Sequence, residues 1–239
     1  MRIRTALAMA ALAASATIAL AGCAGLEPVG APVPTADSTS SPEPSTDPAA
    51  AWLDGGRGIG LVTYGSSSLA CTPVAEDVKA AGQTVTVTLA EPDPKAVCTA
   101  DFAPRATFIG VPESVDPSKD VTVTFQGGGF QGRLPLSGHK DLAAGGSSDG
   151  KPSAGWFADT GILLLTWGSS TCRPVVTGLA EDQDKTGATV TFETDATKVC
   201  TMDFVPRITM LGVNAPADPA GYTLTLQGDH LDGTVKVIG

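Results

Sequence analysis

A block of fourteen residues occurs twice in this chain, and that duplication limits the folds open to it. Cys98-Thr99-Ala100-Asp101-Phe102-Ala103-Pro104-Arg105 returns as Cys200-Thr201-Met202-Asp203-Phe204-Val205-Pro206-Arg207, and the match runs on to Gly110-Val111 and Gly212-Val213. Upstream, Thr63-Tyr64-Gly65-Ser66-Ser67 answers to Thr166-Trp167-Gly168-Ser169-Ser170. Downstream, Val123-Thr124-Phe125-Gln126-Gly127 answers to Leu224-Thr225-Leu226-Gln227-Gly228. Trp52-Leu53 and Trp156-Phe157 open the two units. The expectation is one module built twice, at residues 51–138 and 155–239, joined by a Gly/Ser-rich connector at 139–154.

Within each unit the hydrophobic period is 2. Gln83 to Leu89, Asp120 to Phe125 and Tyr222 to Leu226 alternate polar and apolar, with Val, Thr and aromatic residues throughout, which reads as half-buried strands. Ile59 to Tyr64 and Ile162 to Trp167 are continuously apolar and suit strands covered on both faces. Pro73 to Ala81 and Leu179 to Lys185 have room for one short helical turn each. Gly132 and Gly233 stand at matching places and suit a hairpin turn or bulge. The fold class expected is all-β: two tandem, small, antiparallel β-sandwich modules of immunoglobulin-like type, with five or six strands each. The competing architecture is a single β structure whose repeats share a sheet or complete each other's core.

Five cysteines are present. Cys71, Cys98, Cys172 and Cys200 admit three pairings, and the repeat selects Cys71–Cys98 with Cys172–Cys200. Zinc is the alternative, but no pair has the CxxC spacing of a zinc site. Disulfides imply an oxidising compartment. The fifth, Cys23, closes Leu20-Ala21-Gly22-Cys23 behind Arg2, Arg4 and the apolar run Ala6–Leu20. This is the layout of a signal peptide, with an h-region short for a membrane span. It resembles the lipobox of bacterial lipoproteins. The resemblance implies a leader at 1–22, lipid on Cys23, attachment to the cell membrane and exposure outside the cytoplasm. Residues 23–50 contain six prolines among Ser, Thr, Ala and acids (Pro28, Pro32, Pro34, Pro42, Pro44, Pro48), a composition expected to stay disordered as a tether.

The full chain carries a net charge of −10. Arg2 and Arg4 belong to the leader, so the mature chain is near −12 by that count. Such acidity argues against nucleic acid as a partner and against electrostatic adhesion to anionic lipid.

Candidate binding residues come from the duplicated motifs: Ser66 and Ser67 with Ser169 and Ser170 in the Gly-Ser-Ser loops, and the repeated pairs Asp101/Arg105 and Asp203/Arg207. The competing reading for both sets is structural, as polar turns and ion pairs. No GxSxG, SxxK, HExxH or EF-hand spacing is present, and His139 and His230 occupy non-equivalent places. No catalytic residue, metal or cofactor is expected. Trp52, Trp156 and Trp167 are expected in cores or module contacts, with sugar stacking the alternative. Both repeats together resemble a group of actinobacterial surface lipoproteins that carry a Gly-Ser-Ser loop before a cysteine and Cys-Thr-x-Asp after it. That resemblance implies the surface location and no activity. The functional expectation is a non-enzymatic lipoprotein that binds an envelope or extracellular protein or glycan. The alternatives are an envelope enzyme or protease-inhibitor-like module working through the Gly-Ser-Ser loops, and a structural spacer.

Overall fold

The structure is a computed structural model that describes residues 46–143 and 145–239. Cys23, the leader and the tether up to residue 45 lie outside the described residues. Fourteen strands are present among those described, with no α-helix. In repeat 1 they are β1 (Ala49–Leu53), β2 (Gly58–Gly65), β3 (Ala75–Ala81), β4 (Thr84–Leu89), β5 (Ala103–Gly110), β6 (Val121–Gly127) and β7 (Phe130–Leu136). In repeat 2 they are β8 (Ser153–Ala158), β9 (Gly161–Gly168), β10 (Val176–Glu181), β11 (Gly187–Phe192), β12 (Val205–Gly212), β13 (Thr223–Gln227) and β14 (Gly233–Ile238). The chain is all-β, with two disulfides.

Repeat 1 forms a three-stranded sheet, β1-β2-β5, and a four-stranded sheet, β3-β4-β6-β7. Trp52, Ile59, Leu61 and Ile109 from the first meet Val85, Val87, Val123 and Phe125 from the second in one buried core. Repeat 2 repeats both sheets. There β14 also pairs with β8 over Val237↔Ala154 and Ile238↔Gly155, so its strands run on as a single seven-stranded sheet. Its core gathers Ile162, Leu164, Val190, Leu224 and Tyr222. Each fully buried Leu, Ile, Val or Phe contributes roughly 1.5–3 kcal/mol of transfer free energy.

The expectation of wholly antiparallel sheets is corrected. β4 runs parallel to β6 over six residues, and β11 parallel to β13 over five. Long connections make this geometry available: residues 90–102 and 111–120 separate β4, β5 and β6, and the intervening β5 lies in the other sheet. The helical turns expected at Pro73–Ala81 and Leu179–Lys185 are strands β3 and β10, edge strands whose polar outer residues hide the period. Gly132 is not a turn residue. It lies inside β7, where a Cβ would stand 2.5 Å from the Phe125 ring. The turns fall earlier, at Gly127-Gly128-Gly129 and Gly228-Asp229-His230, all with positive φ. Two boundaries also move. Ala49 and Ala50 belong to β1 rather than the tether, and Ser153 and Ala154 to β8 rather than the connector.

β2 and β9 are continuously apolar because each has two buried faces. Ile59 and Leu61 enter the repeat core, whereas Val62 faces a third cluster shared with Leu163 and Leu165 of β9. This cluster is the seam where the three-stranded layers of the repeats meet. Gly60 permits the close approach: a Cβ there would stand 2.3 Å from Leu163 Cδ1. Across the seam β1 and β8 lie antiparallel, since the Asp54 N–H donates to Ser153 Oγ at 2.7 Å and a Cβ on Gly155 would stand 2.3 Å from the Trp52 carbonyl oxygen. The connector is drawn in as well. Leu142 packs on the repeat 1 core, and Ser148 Oγ donates to the buried Asp54 carboxylate at 2.9 Å.

Candidate functional site

The duplicated motifs converge at one end of each repeat, where β2 gives way to the Gly-Ser-Ser loop and the long 90–102 loop enters β5. Cys71–Cys98 bridges these segments with a Cα–Cα distance of 5.8 Å, and Cys172–Cys200 does so in repeat 2 at 5.5 Å. This is the pairing the repeat selected. Each bridge fastens a loop of more than ten residues that has no secondary structure to hold it.

Every polar member of the motif is used within this fastening. Asp101 accepts the Ser67 N–H at 3.0 Å and the Thr99 hydroxyl, while Ser66 Oγ and Thr99 Oγ1 share a hydrogen bond at 2.8 Å. Repeat 2 does the same with Ser170 N–H to Asp203 at 3.1 Å, the Thr201 hydroxyl to Asp203, and Ser169 with Thr201 at 2.7 Å. Arg105 is only 8 % exposed and donates to the Cys71 carbonyl at 2.6 Å. Arg207, equally buried, donates to the Cys172 carbonyl at 2.7 Å and the Trp167 carbonyl at 2.9 Å. No direct ion pair joins Asp101 to Arg105 or Asp203 to Arg207 among the described residues. The aspartate caps a backbone N–H and the arginine gathers carbonyls.

The leading glycine of each Gly-Ser-Ser loop has a steric cause. A Cβ on Gly65 would stand 2.6 Å from the Arg105 guanidinium, and one on Gly168 would stand 2.8 Å from that of Arg207. Glycine and arginine therefore form one unit, 40 positions apart in repeat 1 and 39 in repeat 2.

Hydrogen bonds from Ser67, then Thr99, lower the Asp101 pKa to about 2, and those from Ser170 and Thr201 do the same for Asp203. A carboxylate with a depressed folded pKa stabilises the fold above its unfolded pKa, near 3.9, and loses that contribution as pH falls through the folded value. The melting temperature is expected to drop between pH ~4 and ~2. Replacing both Asp101 and Asp203 with asparagine should flatten the profile in that window. Profiles that stay parallel in thermal melts across the window would count against the capping role.

What remains open to solvent at these ends is apolar. Eight large hydrophobic residues are exposed among the described residues: Leu69, Val74, Val97, Phe102, Val175, Val199, Met202 and Phe204. All eight lie on the disulfide-fastened segments, and three sets correspond between repeats (Val74/Val175, Val97/Val199, Phe102/Phe204). Phe102 is 67 % exposed while stacking on Tyr64, and Phe204 is 65 % exposed while stacking on Trp167, each with ring centroids 5.8 Å apart. Sequence reasoning singled out the polar half of the motif and passed over this half. The signal available was the recurrence of apolar residues at the same places in segments with no strand period.

The seam sets the disulfide end of repeat 2 against the connector, where a Cβ on Gly150 would stand 2.8 Å from the Phe204 ring, and Leu69 and Val74 of repeat 1 line one cavity with Val205 and Pro206 of repeat 2. Trp52 is buried, its Nε1–H donating to the Ser137 carbonyl at 2.7 Å, and Trp156 donates to the Pro219 carbonyl at 3.1 Å. Among the described residues no group of three His, Cys, Asp or Glu side chains is placed to hold a metal, and no helix is long and apolar enough to cross a membrane. Searches of protein-family models, of curated proteins and of solved structures return no match.

Proposed function

We propose that this chain is a membrane-anchored extracytoplasmic lipoprotein of binding type, held by lipid on Cys23 and acting without catalysis. The observation that carries the reading is the gathering, among the described residues, of every exposed large apolar side chain onto the two disulfide-fastened segments. Exposed aromatic and aliphatic groups held in place by a rigid support are the usual anchors of a protein interface. The serine, threonine, aspartate and arginine groups around them already serve the loop, and among the described residues of these loops none is paired as nucleophile and base. In architecture we read each repeat as one β-sandwich module, since the buried residues of each core come from the strands and loops of its own repeat, although in repeat 2 those strands run on as one sheet. The parallel strand pairs depart from the immunoglobulin pattern. The arrangement suits engagement of an envelope or extracellular protein by the apolar groups of either repeat.

The test uses the oxidised, full mature chain as bait against envelope extract, with a Phe102→Ser/Phe204→Ser variant beside it. Both rings are largely in solvent, so the variant is expected to keep its melting temperature within a few degrees. A partner that cross-links to the wild type and is lost with the variant supports the reading. Capture that is equal with both, or absent with both, transfers weight to the structural spacer.

A further inference from the structure

We propose that repeat 2 holds a binding site for a neutral sugar residue, in the cavity between the β13–β14 hairpin and the start of β8. The site adjoins the apolar end of repeat 2, since its wall residue Trp167 stacks on Phe204, but the rest of its lining comes from the β13–β14 hairpin and residues 150–152. β14 pairs with β8 only at Val237 and Ile238, and toward its own start it diverges from β8. The wedge left open has a volume of about 410 Å3, within the range of small-molecule sites. Its walls include Trp167, Leu231 and Val235 on the apolar side and Lys151, His230 and Asp232 on the polar side.

The duplication supplies an internal control. The hairpin of repeat 1 pairs onward through Gln126↔Gln131 and Gly127↔Phe130, whereas that of repeat 2 stops at Leu226↔Gly233 and has a five-residue loop, 228–232, between its strands. Asp229 and His230 in this loop take left-handed backbone, where repeat 1 has the glycines Gly128 and Gly129. Three apolar positions of the wedge are smaller than their counterparts, Leu226 for Phe125, Leu231 for Phe130 and Val235 for Leu134, while Trp167 stands where repeat 1 has Tyr64. The consequence is visible at the matching glycines. The Phe125 ring would stand 2.5 Å from a Cβ on Gly132, but around Gly233 the nearest atom is the Leu231 carbonyl oxygen at 4.0 Å. The space that repeat 1 fills with its own side chains is left empty in repeat 2. Non-glycine residues held in left-handed backbone cost of order 1 kcal/mol or more, and such strain collects at ligand sites.

The chemistry of the walls sets the ligand class. Trp167 has a buried indole N–H with no hydrogen-bond partner. Lys151, whose ammonium pairs with Asp149 at 3.1 Å, and Asp232 stand on the same polar wall, so the wall selects for neither sign. Asp232 uses one oxygen to accept the Gly228 N–H at 3.1 Å, which fixes the carboxylate and leaves the other oxygen for a hydroxyl. A wholly apolar ligand would desolvate these groups without compensation, and an anion or cation would meet one unfavourable charge. A pyranose ring presents C–H groups to the apolar wall and hydroxyls to the polar one.

The test is an NMR titration of the full mature chain, following the Trp indole N–H resonances, with the methyl glycosides of glucose, galactose, mannose and N-acetylglucosamine. One of these is expected to shift the Trp167 signal saturably, with a dissociation constant on the order of millimolar, as suits a single sugar ring. Leu226→Phe copies the arrangement of repeat 1 and fills the wedge without removing any hydrogen bond. It is expected to keep the fold and to weaken binding at least tenfold, about 1.4 kcal/mol. Asp232→Asn keeps the contact to Gly228 and should weaken binding without changing the melting temperature. Absence of a saturable shift with any glycoside overturns the proposal, as does unchanged affinity in Leu226→Phe. Saturation by glycine zwitterion in place of the glycosides overturns the ligand class.

Discussion

Replacing Cys71, Cys98, Cys172 and Cys200 with alanine together is expected to cost about 6–8 kcal/mol, enough to leave the chain largely unfolded at 37 °C. Each bridge closes a loop with a sequence separation of 27 or 28 residues, for which the chain-entropy model assigns roughly 3–4 kcal/mol. A domain of ordinary stability has only ~5–15 kcal/mol in total. The loops concerned have little else to hold them: residues 90–102 and 193–204 carry no strand and touch the body through exposed polar bonds, one stacked phenylalanine each and the bridge itself. Removing one bridge should lower the melting temperature by about 6–16 °C, using ~2–4 °C per kcal/mol for a chain of this size. Because each repeat has its own core and its own bridge, the two single-bridge variants should lose similar amounts. Thermal melts of the oxidised and fully reduced protein provide the simplest check. A loss below ~1 kcal/mol per bridge would mean that the aspartate caps and arginine forks hold the loops unaided.

Arg207→Met is expected to destabilise by about 2–4 kcal/mol, and Arg105→Met by a similar or slightly smaller amount. The Arg207 guanidinium satisfies two carbonyls at 2.7 and 2.9 Å, whereas Arg105 has one short bond, to Cys71, and two long ones at 3.5 Å. Methionine fills much of the volume but donates nothing, so buried carbonyls lose their partners. Burial lowers the pKa of both guanidinium groups, yet arginine stays charged at any relevant pH, so the loss is independent of pH near neutrality. Lysine should rescue only partly, because a single ammonium cannot span the carbonyls that a planar fork reaches. Denaturant melts of the variants measure the effect. Melting temperatures within a few degrees of wild type would release both arginines for recognition and overturn the structural role.

The strands were legible where a single physical demand governed them. Thr84–Leu89 alternates because one face of β4 is core and the other is not, and Gly58–Gly65 is apolar throughout because β2 has two covered faces. The edge strands β3 and β10 were not legible. With one side unpaired and exposed, Ala75–Ala81 carries Glu76, Asp77 and Lys79, and its composition imitates a turn. The parallel pairs lay beyond sequence reading because strand alternation says which face is buried and not which strand is the neighbour. Cysteine pairing was legible from the duplication alone. The candidate site divided into two parts. The residues of Gly-Ser-Ser and Asp-x-x-x-Arg were visible as a pattern, but their work is spent on each other. The exposed apolar groups were not visible, because a phenylalanine in a sequence carries no mark of whether a core receives it.

The seam has a consequence for how such a chain came to be built. Gly60 and Leu163 are counterparts in the two repeats, and they face one another. In an isologous dimer of single repeats, every interface residue near the two-fold axis must tolerate its own copy. Two copies of repeat 1 would set glycine against glycine and leave a void, while two copies of repeat 2 would crowd leucine against leucine. Joining the copies in one polypeptide lifts that symmetry requirement. The knob has gone to one half and the hole to the other, and each face now fits its sibling better than it would fit itself.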